Sequence, residues 1–261
     1  MLFQWNEQTL RWFEAASAYT GFHRELASIV RPHIADCTTF CDIGCGLGLL
    51  DLELAQDVRS VFCIDRNETA IAALRALICA RGAHNVAARA ADVNALAGER
   101  WDAVIMSFFG SSTASIAHFL SFCDKRMILI VHENTSANRR ANAAPRRPKP
   151  LDAIEVAGFL TDRGARFRKI GAVLEFGQPF TSLADVREFV RVYANALPFA
   201  DDGGADADWE RPYGDAEKRL IETGRSDYPL YLPKRKGLAV FVVEKAAQQD
   251  RIGASALSGG R

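Results

Sequence analysis

The chain has 261 residues, 49% of them hydrophobic, which is enough to bury the core of one α/β domain with an insertion. Basic and acidic residues both number 32, and this zero formal net charge argues against a surface that grips nucleic acid over its whole extent. No basic start with an apolar run opens residues 1–15, and no apolar stretch approaches ~18 residues, so we expect a cytoplasmic protein without a membrane helix.

The six cysteines do not show the close pairing that is typical of metal sites. Cys37, Cys41 and Cys45 recur every four residues, but a strand running through them would hold the outer two too far apart to share an ion. We therefore predict no metal and free thiols, which suit a reducing compartment.

The first 36 residues predict helices that would form an N-terminal lid. Asn6 is a suitable N-cap, Gly21 suggests a break, and Pro32 ends the segment.

From residue 38 onward, strand-like and helix-like segments alternate. The predicted strands are 39–43, 61–65, 86–89, 102–107, 126–132, 167–176 and 237–244. The predicted helices between them begin near residue 49 and cover 69–81, 113–123, 151–163 and 182–196. This alternation predicts an α/β fold of the Rossmann-like kind, with a seven-stranded, mostly parallel sheet and helices on both faces.

The loop after the first strand carries the most informative motif. Residues 40–50 read FCDIGCGLGLL, with Asp42, Gly44, Gly46 and Gly48 in a D-x-G-x-G-x-G pattern. The nicotinamide fingerprint G-x-G-x-x-G is not met, because Leu49 stands where its third glycine belongs. The pattern resembles motif I of class I S-adenosylmethionine-dependent methyltransferases.

The resemblance extends through residues 38–135 and implies a cofactor site. Asp65 ends the second strand, where a carboxylate can accept hydrogen bonds from two ribose hydroxyls. In the resembled family an acidic residue at Asp92 takes the adenine amino group, and the next amide, that of Val93, meets a ring nitrogen. Arg66 either lies along the adenine or is an ordinary solvated arginine.

The ends of the fourth and fifth strands are expected to face the reacting groups. The resemblance implies that Ser107 and Phe108 contact the methionine end of the cofactor. His132 and Glu133 are the candidate catalytic residues, expected to face the same crevice, although His132 is equally an ordinary strand-end histidine. Tyr19 and His23 could fold over the cofactor as part of the lid, or belong to the helical core.

The remaining segments set the predicted domain limits. We expect a lid (1–36), a cofactor-binding core (37–177), a small cap insertion (178–236), a final core strand (237–245) and a disordered tail (246–261). The cap tyrosines Tyr193, Tyr213, Tyr228 and Tyr231, with Trp209, either enclose a substrate or form the cap's own core. The basic segment 138–150 could contact phosphates, but such runs are more often solvated loops.

The expected function is methyl transfer from S-adenosylmethionine to a small molecule by direct displacement. Nucleic acid is a less favoured substrate, because residues 107–110 read SFFG where amino-methylating DNA enzymes carry an N-P-P-Y-like tetrapeptide. Two alternatives stay open: a non-catalytic S-adenosylmethionine-binding module, and a nicotinamide-dependent oxidoreductase. The sequence does not indicate an oligomeric state.

Overall fold

Five strands that alternate with helices along the chain lie side by side in parallel. They are β1 (Thr39–Ile43), β2 (Ser60–Asp65), β3 (Val86–Ala90), β4 (Trp101–Ser107) and β5 (Cys123–His132). This computed structural model describes residues 5–96, 98–110, 112–133, 151–193 and 210–245. The predicted segment 138–150, the tail 246–261 and Trp209 lie outside those ranges.

Two further strands complete the sheet, and only β10 runs opposite to the others. They are β6 (Phe167–Glu175) and β10 (Arg235–Glu244), and β10 runs antiparallel between β5 and β6. The strand order is β3-β2-β1-β4-β5-β10-β6. The prediction of a seven-stranded, mostly parallel sheet is confirmed.

Helices cover both faces of this sheet. One face packs against α2 (Phe22–Val30), α3 (Leu49–Leu54) and α4 (Glu68–Arg81), and the other against α5 (Thr113–Leu120) and α6 (Ala153–Asp162). Central strands are therefore buried on both sides, as the adjacent residues Phe40 and Cys41 show at 0% exposure each. The helix predicted to reach residue 123 ends earlier, because Cys123 already belongs to β5.

The N-terminal helices follow from local capping. α1 (Glu7–Thr20) begins with a capping box in which Asn6 and Thr9 satisfy each other's backbone N–H groups. Gly21 ends α1 in the left-handed conformation with φ 70°, and α2 follows directly. The predicted break is therefore a sharp corner between two helices.

The insertion between β6 and β10 has a small core of its own. It contains α7 (Leu183–Tyr193), α8 (Glu210–Glu217), and the antiparallel strands β7 (Gln178–Phe180), β9 (Leu230–Leu232) and β8 (Ile221–Glu222), which pair in that order. Phe180, Val186, Val190, Tyr213, Ala216 and Leu232 form its buried cluster. The sequence predicted helices and loops here but not this sheet, because strands of two or three residues carry no measurable periodicity.

In the described part of the chain, no helix combines the length and apolar character needed to cross a bilayer.

Candidate functional site

The loops that follow β1 to β5 meet at one edge of the sheet, because parallel strands all end there. The predicted glycines, carboxylates and aromatic residues lie in these loops. The geometry of this edge determines which of them come together.

The Gly-rich loop is held against the end of β2. The N–H groups of Gly44 and Cys45 donate to the carbonyl oxygen of Ile64 at 2.8 and 3.2 Å. Gly44 has φ 78°, and a Cβ placed there would collide with the ring of Phe109. Gly46 has φ 54°, and its Cβ would stand 3.0 Å from the ring of Trp5. Only glycine both adopts these positive φ values easily and lacks a Cβ, so the loop has no side chain of its own at these two positions.

Asp65 lies beside this loop. Its Oδ2 accepts a hydrogen bond from the N–H of Gly46 at 3.0 Å, and its Oδ1 accepts one from the N–H of Asn67 at 2.8 Å. A carboxylate offers about four acceptor positions, so each oxygen keeps capacity for a ligand hydroxyl. Asp65 thus joins β2, the Gly-rich loop and the start of α4.

Asp92 and Arg66 flank the same edge further out. Asp92 Oδ1 accepts from the backbone N–H and side-chain amide of Asn94 at 2.9 and 2.7 Å, which caps the short 3₁₀ turn Val93–Leu96. Arg66 Nη1 lies 3.8 Å from Asp92 Oδ2, and both side chains are about half exposed. The pair borders the region between the ends of β2 and β3.

Two buried carboxyls, Asp42 and Asp51, face each other under the Gly-rich loop. They are 2% and 0% exposed, and the Asp51 carboxyl forms hydrogen bonds with Asp42 and with the Cys63 thiol. Burial, and for Asp42 also the charge of Asp51, raises the pKa of both groups. The pair therefore retains a proton that separate surface carboxyls would lose. The sequence analysis singled out Asp42 but missed Asp51, whose position on α3 carries no motif.

Phe108 and His132 stand together at the ends of β4 and β5. Their ring centroids are 4.9 Å apart. Phe108 has φ 51°, the one positive value at a non-glycine residue in the described chain, and its N–H donates to Ile130. Such a conformation is uncommon for a bulky residue and turns the chain sharply after β4. Ser107 precedes this turn as the last residue of β4.

Glu133 does not share the crevice with His132, which corrects the sequence expectation. His132 pairs with Leu238, on the face covered by α2, whereas Glu133 packs against Gly237. Glu133 Oε1 accepts a 2.6 Å ion-paired hydrogen bond from Lys169 Nζ on β6. The reason is elementary, because successive residues of a strand point to opposite faces.

His23 is enclosed by aromatic rings above the same edge. Its Nδ1 is 2.6 Å from Ser17 Oγ, and its ring lies 5.0 Å from Phe22 and 5.9 Å from Phe176. Burial first, then the positive charges of Lys236 and Arg81, lowers the pKa of His23 to about 3.

Tyr19 lies in an outer layer formed with the insertion. Its ring stacks on Tyr231 at 4.8 Å and meets Tyr228 edge-on at 6.1 Å. The guanidinium of Arg225 lies 5.2 Å from the same ring. Tyr19 therefore joins α1 to the insertion.

A second contact ties α1 to the insertion more strongly. The indole N–H of Trp12 donates to Asp185 Oδ1 at 2.8 Å, and Arg11 Nη2 lies 2.5 Å from the same oxygen. The N–H and hydroxyl of Thr181 donate to Asp185 Oδ2 at 3.2 Å each. These hydrogen bonds, led by Arg11, hold the pKa of Asp185 below its usual value despite burial.

Lys236, at the start of β10, completes the site and was missed by the sequence analysis. Its ammonium lies 4.1 Å from the ring centroid of Phe176, 5.2 Å from Phe108 and 5.3 Å from Phe22. Burial first, then the charge of Lys234, lowers the pKa of Lys236 to about 7. Lys236 lies within a basic run, 234–236, which is ordinarily typical of a solvated surface.

His132 is also held neutral by this environment. Burial, then Lys236 and Lys234, lowers its pKa to about 4. The ring can therefore accept a hydrogen bond or a proton at neutral pH, when one nitrogen carries no hydrogen.

Comparison with known proteins finds a family model that matches part of the chain. Residues 40–124 match the methyltransferase-domain family, a range that contains the Gly-rich loop, Asp65, Asp92 and Phe108 but not His132 or Lys236. None of the curated proteins matches the chain.

Solved structures show how widely the fold is shared. The chain is similar to magnesium protoporphyrin IX methyltransferase of Synechocystis PCC 6803 with bound SAH, at 17% identity over 93% of this chain and 89% of that one, with a TM-score of 0.51. It is also similar to a SAM-dependent methyltransferase of Aquifex aeolicus, at 14% identity over 92% and 99%, with a TM-score of 0.51. At such identities the similarity establishes the fold.

Proposed function

We propose that this chain, which carries a class I S-adenosylmethionine-dependent methyltransferase domain, transfers the methyl group to a small-molecule acceptor. The observation that carries the proposal is the cover over the sheet edge. Trp12 and Tyr19 of α1 are fastened to the insertion, and Phe22 of α2 packs towards Phe108 with ring centroids 6.5 Å apart.

The residues at this edge fit S-adenosylmethionine. The glycines of the loop carry no side chains of their own, and Asp65 retains acceptor capacity for ribose hydroxyls. Asp92, Arg66 and the Val93 amide are proposed for the adenine, and Asp42, Ser107 and Phe108 for the methionine end. When bound, the cofactor supplies an electrophilic methyl group on a sulfonium.

The protein's own contribution is orientation and exclusion of water. Direct displacement needs the acceptor atom in line with the methyl group, and a closed, apolar surrounding holds it there. His132 is proposed to accept the hydrogen bond, or the proton, of an acceptor hydroxyl or amine, because its ring is neutral at working pH.

A covered edge favours a small molecule. A folded macromolecule needs an open surface, whereas Phe22 of α2 lies against Phe108 at the end of β4 and Tyr19 of α1 packs on Tyr231 of the insertion. The acceptor would reach His132 only between these layers. We also propose a cytoplasmic location, which the six free cysteines support.

The test is methyl transfer sorted by acceptor size. The full chain is incubated with methyl-labelled S-adenosylmethionine and with a cell extract divided by ultrafiltration into small molecules and macromolecules. We expect label in a small-molecule product that chromatography separates from S-adenosylmethionine, no label in macromolecules, and loss of the labelled product with D65A. Label confined to the macromolecular fraction would overturn the proposal.

The alternatives give different results in the same experiment. A non-catalytic binding module would bind S-adenosylhomocysteine but transfer no label to either fraction. An oxidoreductase would be stabilised against heat by NADH and not by S-adenosylhomocysteine.

A further inference from the structure

The ammonium of Lys236 lies among aromatic rings at this edge of the sheet. Rings from three separate elements surround its ammonium: Phe22 of α2, Phe108 after β4 and Phe176 after β6. The side chain nevertheless remains partly accessible to solvent. It therefore lies in a recess lined by rings.

No counter-charge for this ammonium is found in the part of the chain that the structure describes. Among the described residues, no carboxylate lies within ion-pair distance of Lys236, and no acceptor takes its hydrogens. Cation–π contacts compensate only partly for the lost hydration of the ammonium. An ammonium without an anion in such a place is costly, and an anionic ligand group would remove that cost.

The charged groups that act on the titratable residues around Lys236 all carry a positive charge. The charged residues that shift the pKa values of His23, His132 and Lys236 are all basic, namely Lys234, Lys236 and Arg81. Basic groups therefore border the recess, and the carboxylate of Glu175, next to Phe176, accepts from the Tyr231 hydroxyl and the Lys234 backbone N–H. Positive potential concentrated in a recess attracts and orients anions.

The position of Lys236 puts it on the acceptor side. β10 is separated from β1, which carries the Gly-rich loop, by β4 and β5, a distance of about 14 Å at ~4.8 Å per strand. Lys236 and His132 both flank the ring of Phe108, at 5.2 and 4.9 Å. A group bound to Lys236 therefore lies next to the histidine rather than next to the adenosine half of the cofactor.

We propose that Lys236, framed by Phe22, Phe108 and Phe176, binds a carboxylate of the methyl acceptor and so selects planar or apolar acids. This assignment rests on the proposed methyltransferase function. The ammonium provides the charge-assisted hydrogen bond, and the three rings provide an apolar surrounding for the carbon skeleton next to the carboxylate.

The experiment uses benzoate and its neutral isostere benzamide as probes. The full chain is first saturated with S-adenosylhomocysteine, and binding of each probe is measured by calorimetry and thermal shift. We expect benzoate to bind more tightly than benzamide, and K236M to weaken benzoate by about tenfold or more, as loss of a charge-assisted hydrogen bond predicts. K236R should restore part of the affinity, and K234M should keep most of it. Methionine keeps the apolar stem of lysine within the rings.

The other source of a carboxylate is the cofactor itself. Binding of S-adenosylhomocysteine is therefore compared with that of 5′-methylthioadenosine, which lacks the amino-acid portion. The proposal is supported if K236M binds each of the two compounds as tightly as wild type does. A loss confined to S-adenosylhomocysteine would assign Lys236 to the methionine carboxylate and overturn it.

The remaining outcomes are also decisive. Failure of wild type to distinguish benzoate from benzamide, or equal benzoate binding by K236M, overturns the inference while binding of S-adenosylhomocysteine keeps the methyltransferase assignment intact. If K236M does not fold, wild-type chain with ¹³C-labelled lysine provides the readout. The Lys236 Cε resonance must then move on addition of benzoate and not on addition of benzamide.

Discussion

The backbone N–H of Gly46 donates a 3.0 Å hydrogen bond to Oδ2 of Asp65, so the residue proposed to hold the ribose also shapes the loop beside it. Cofactor affinity and loop order are thereby coupled through one carboxylate. Substitutions at Asp65 test both roles.

We predict that D65A weakens S-adenosylhomocysteine binding by at least about tenfold, since hydrogen bonds to a charged group contribute about 1.5–3 kcal/mol each. D65N keeps one oxygen acceptor and should fall between D65A and wild type. Calorimetry measures both affinities. The control is D57A, which removes a carboxylate that pairs with Arg31 just before β2. If D65A and wild type bind S-adenosylhomocysteine equally well, Asp65 does not contact the ribose.

The contact between Gly44 and Phe109 predicts a steric conflict. G44A adds a Cβ at φ 78° that collides with the Phe109 ring, so we expect lower stability and weaker S-adenosylhomocysteine binding. F109A removes the ring, and the G44A/F109A double variant should lose less than the sum of the two single losses. Denaturant unfolding of all four chains gives the coupling. If the loss in the double variant equals the sum of the two single losses, the Phe109 ring moves aside at no cost and the predicted conflict is absent.

Trp12 and Asp185 fasten the N-terminal cover. D185A leaves the buried indole N–H and the Arg11 guanidinium without this acceptor, and we expect a loss of about 1–3 kcal/mol in the free energy of unfolding. Hydrogen exchange should accelerate in α1 and α7 and stay slow in the central strands. R11M removes the half-exposed guanidinium and keeps the indole hydrogen bond, so it should show a smaller effect. Uniform acceleration across the sheet would indicate global destabilisation instead.

The buried carboxyl pair predicts a stability that declines with rising pH. The pKa of Asp51 is raised in the folded chain, so the folded state holds a proton that the unfolded chain releases near its ordinary pKa. Stability from this group is present below that value and is lost as the pH rises through the folded pKa. D51N removes the titration, and its stability relative to wild type should therefore improve from pH 4 to pH 8. A constant difference, measured by chemical denaturation, would contradict this.

His23 predicts the opposite slope. Its pKa is lowered to about 3, so the folded chain keeps it neutral while the unfolded chain protonates near pH 6.5. Stability is full above that value and falls as the pH decreases towards about 3, by up to about 2 kcal/mol at pH 5. H23F retains a ring among Phe22 and Phe176 and should flatten this acid limb. If the free energy of unfolding of H23F falls with decreasing pH as steeply as that of wild type, a group other than His23 takes up the proton.

The meeting of the Gly-rich loop and the nearby carboxylates at one edge of the sheet could be predicted from sequence, because the signals are local. A glycine pattern between a strand and a helix, and acids at the ends of β2 and β3, need only the rule that parallel strands end together. The sequence also allowed the prediction that His132 and Glu133 lie on opposite faces of the sheet, since consecutive residues of a strand alternate between faces.

The acceptor half could not be predicted, because it depends on distant contacts. Lys236 stands among basic neighbours in the sequence, and its surroundings come from three rings that lie far apart along the chain. Trp5 over Gly46 is a similar case, since nothing in its local sequence indicates that partner. Packing of this kind is specified only when the whole fold is assembled.

The placement of β10 between β5 and β6 has a consequence for the order in which the molecule is made. The Gly-rich loop, Asp65 and Phe108 emerge from the ribosome long before Lys236, which arrives with the last strand. Because β5 and β6 become neighbours of one sheet only through β10, the acceptor side closes late, through contacts of high sequence separation. A nascent chain therefore carries the Gly-rich loop and Asp65 before it has the strand that joins β5 to β6 and brings Lys236 to Phe108.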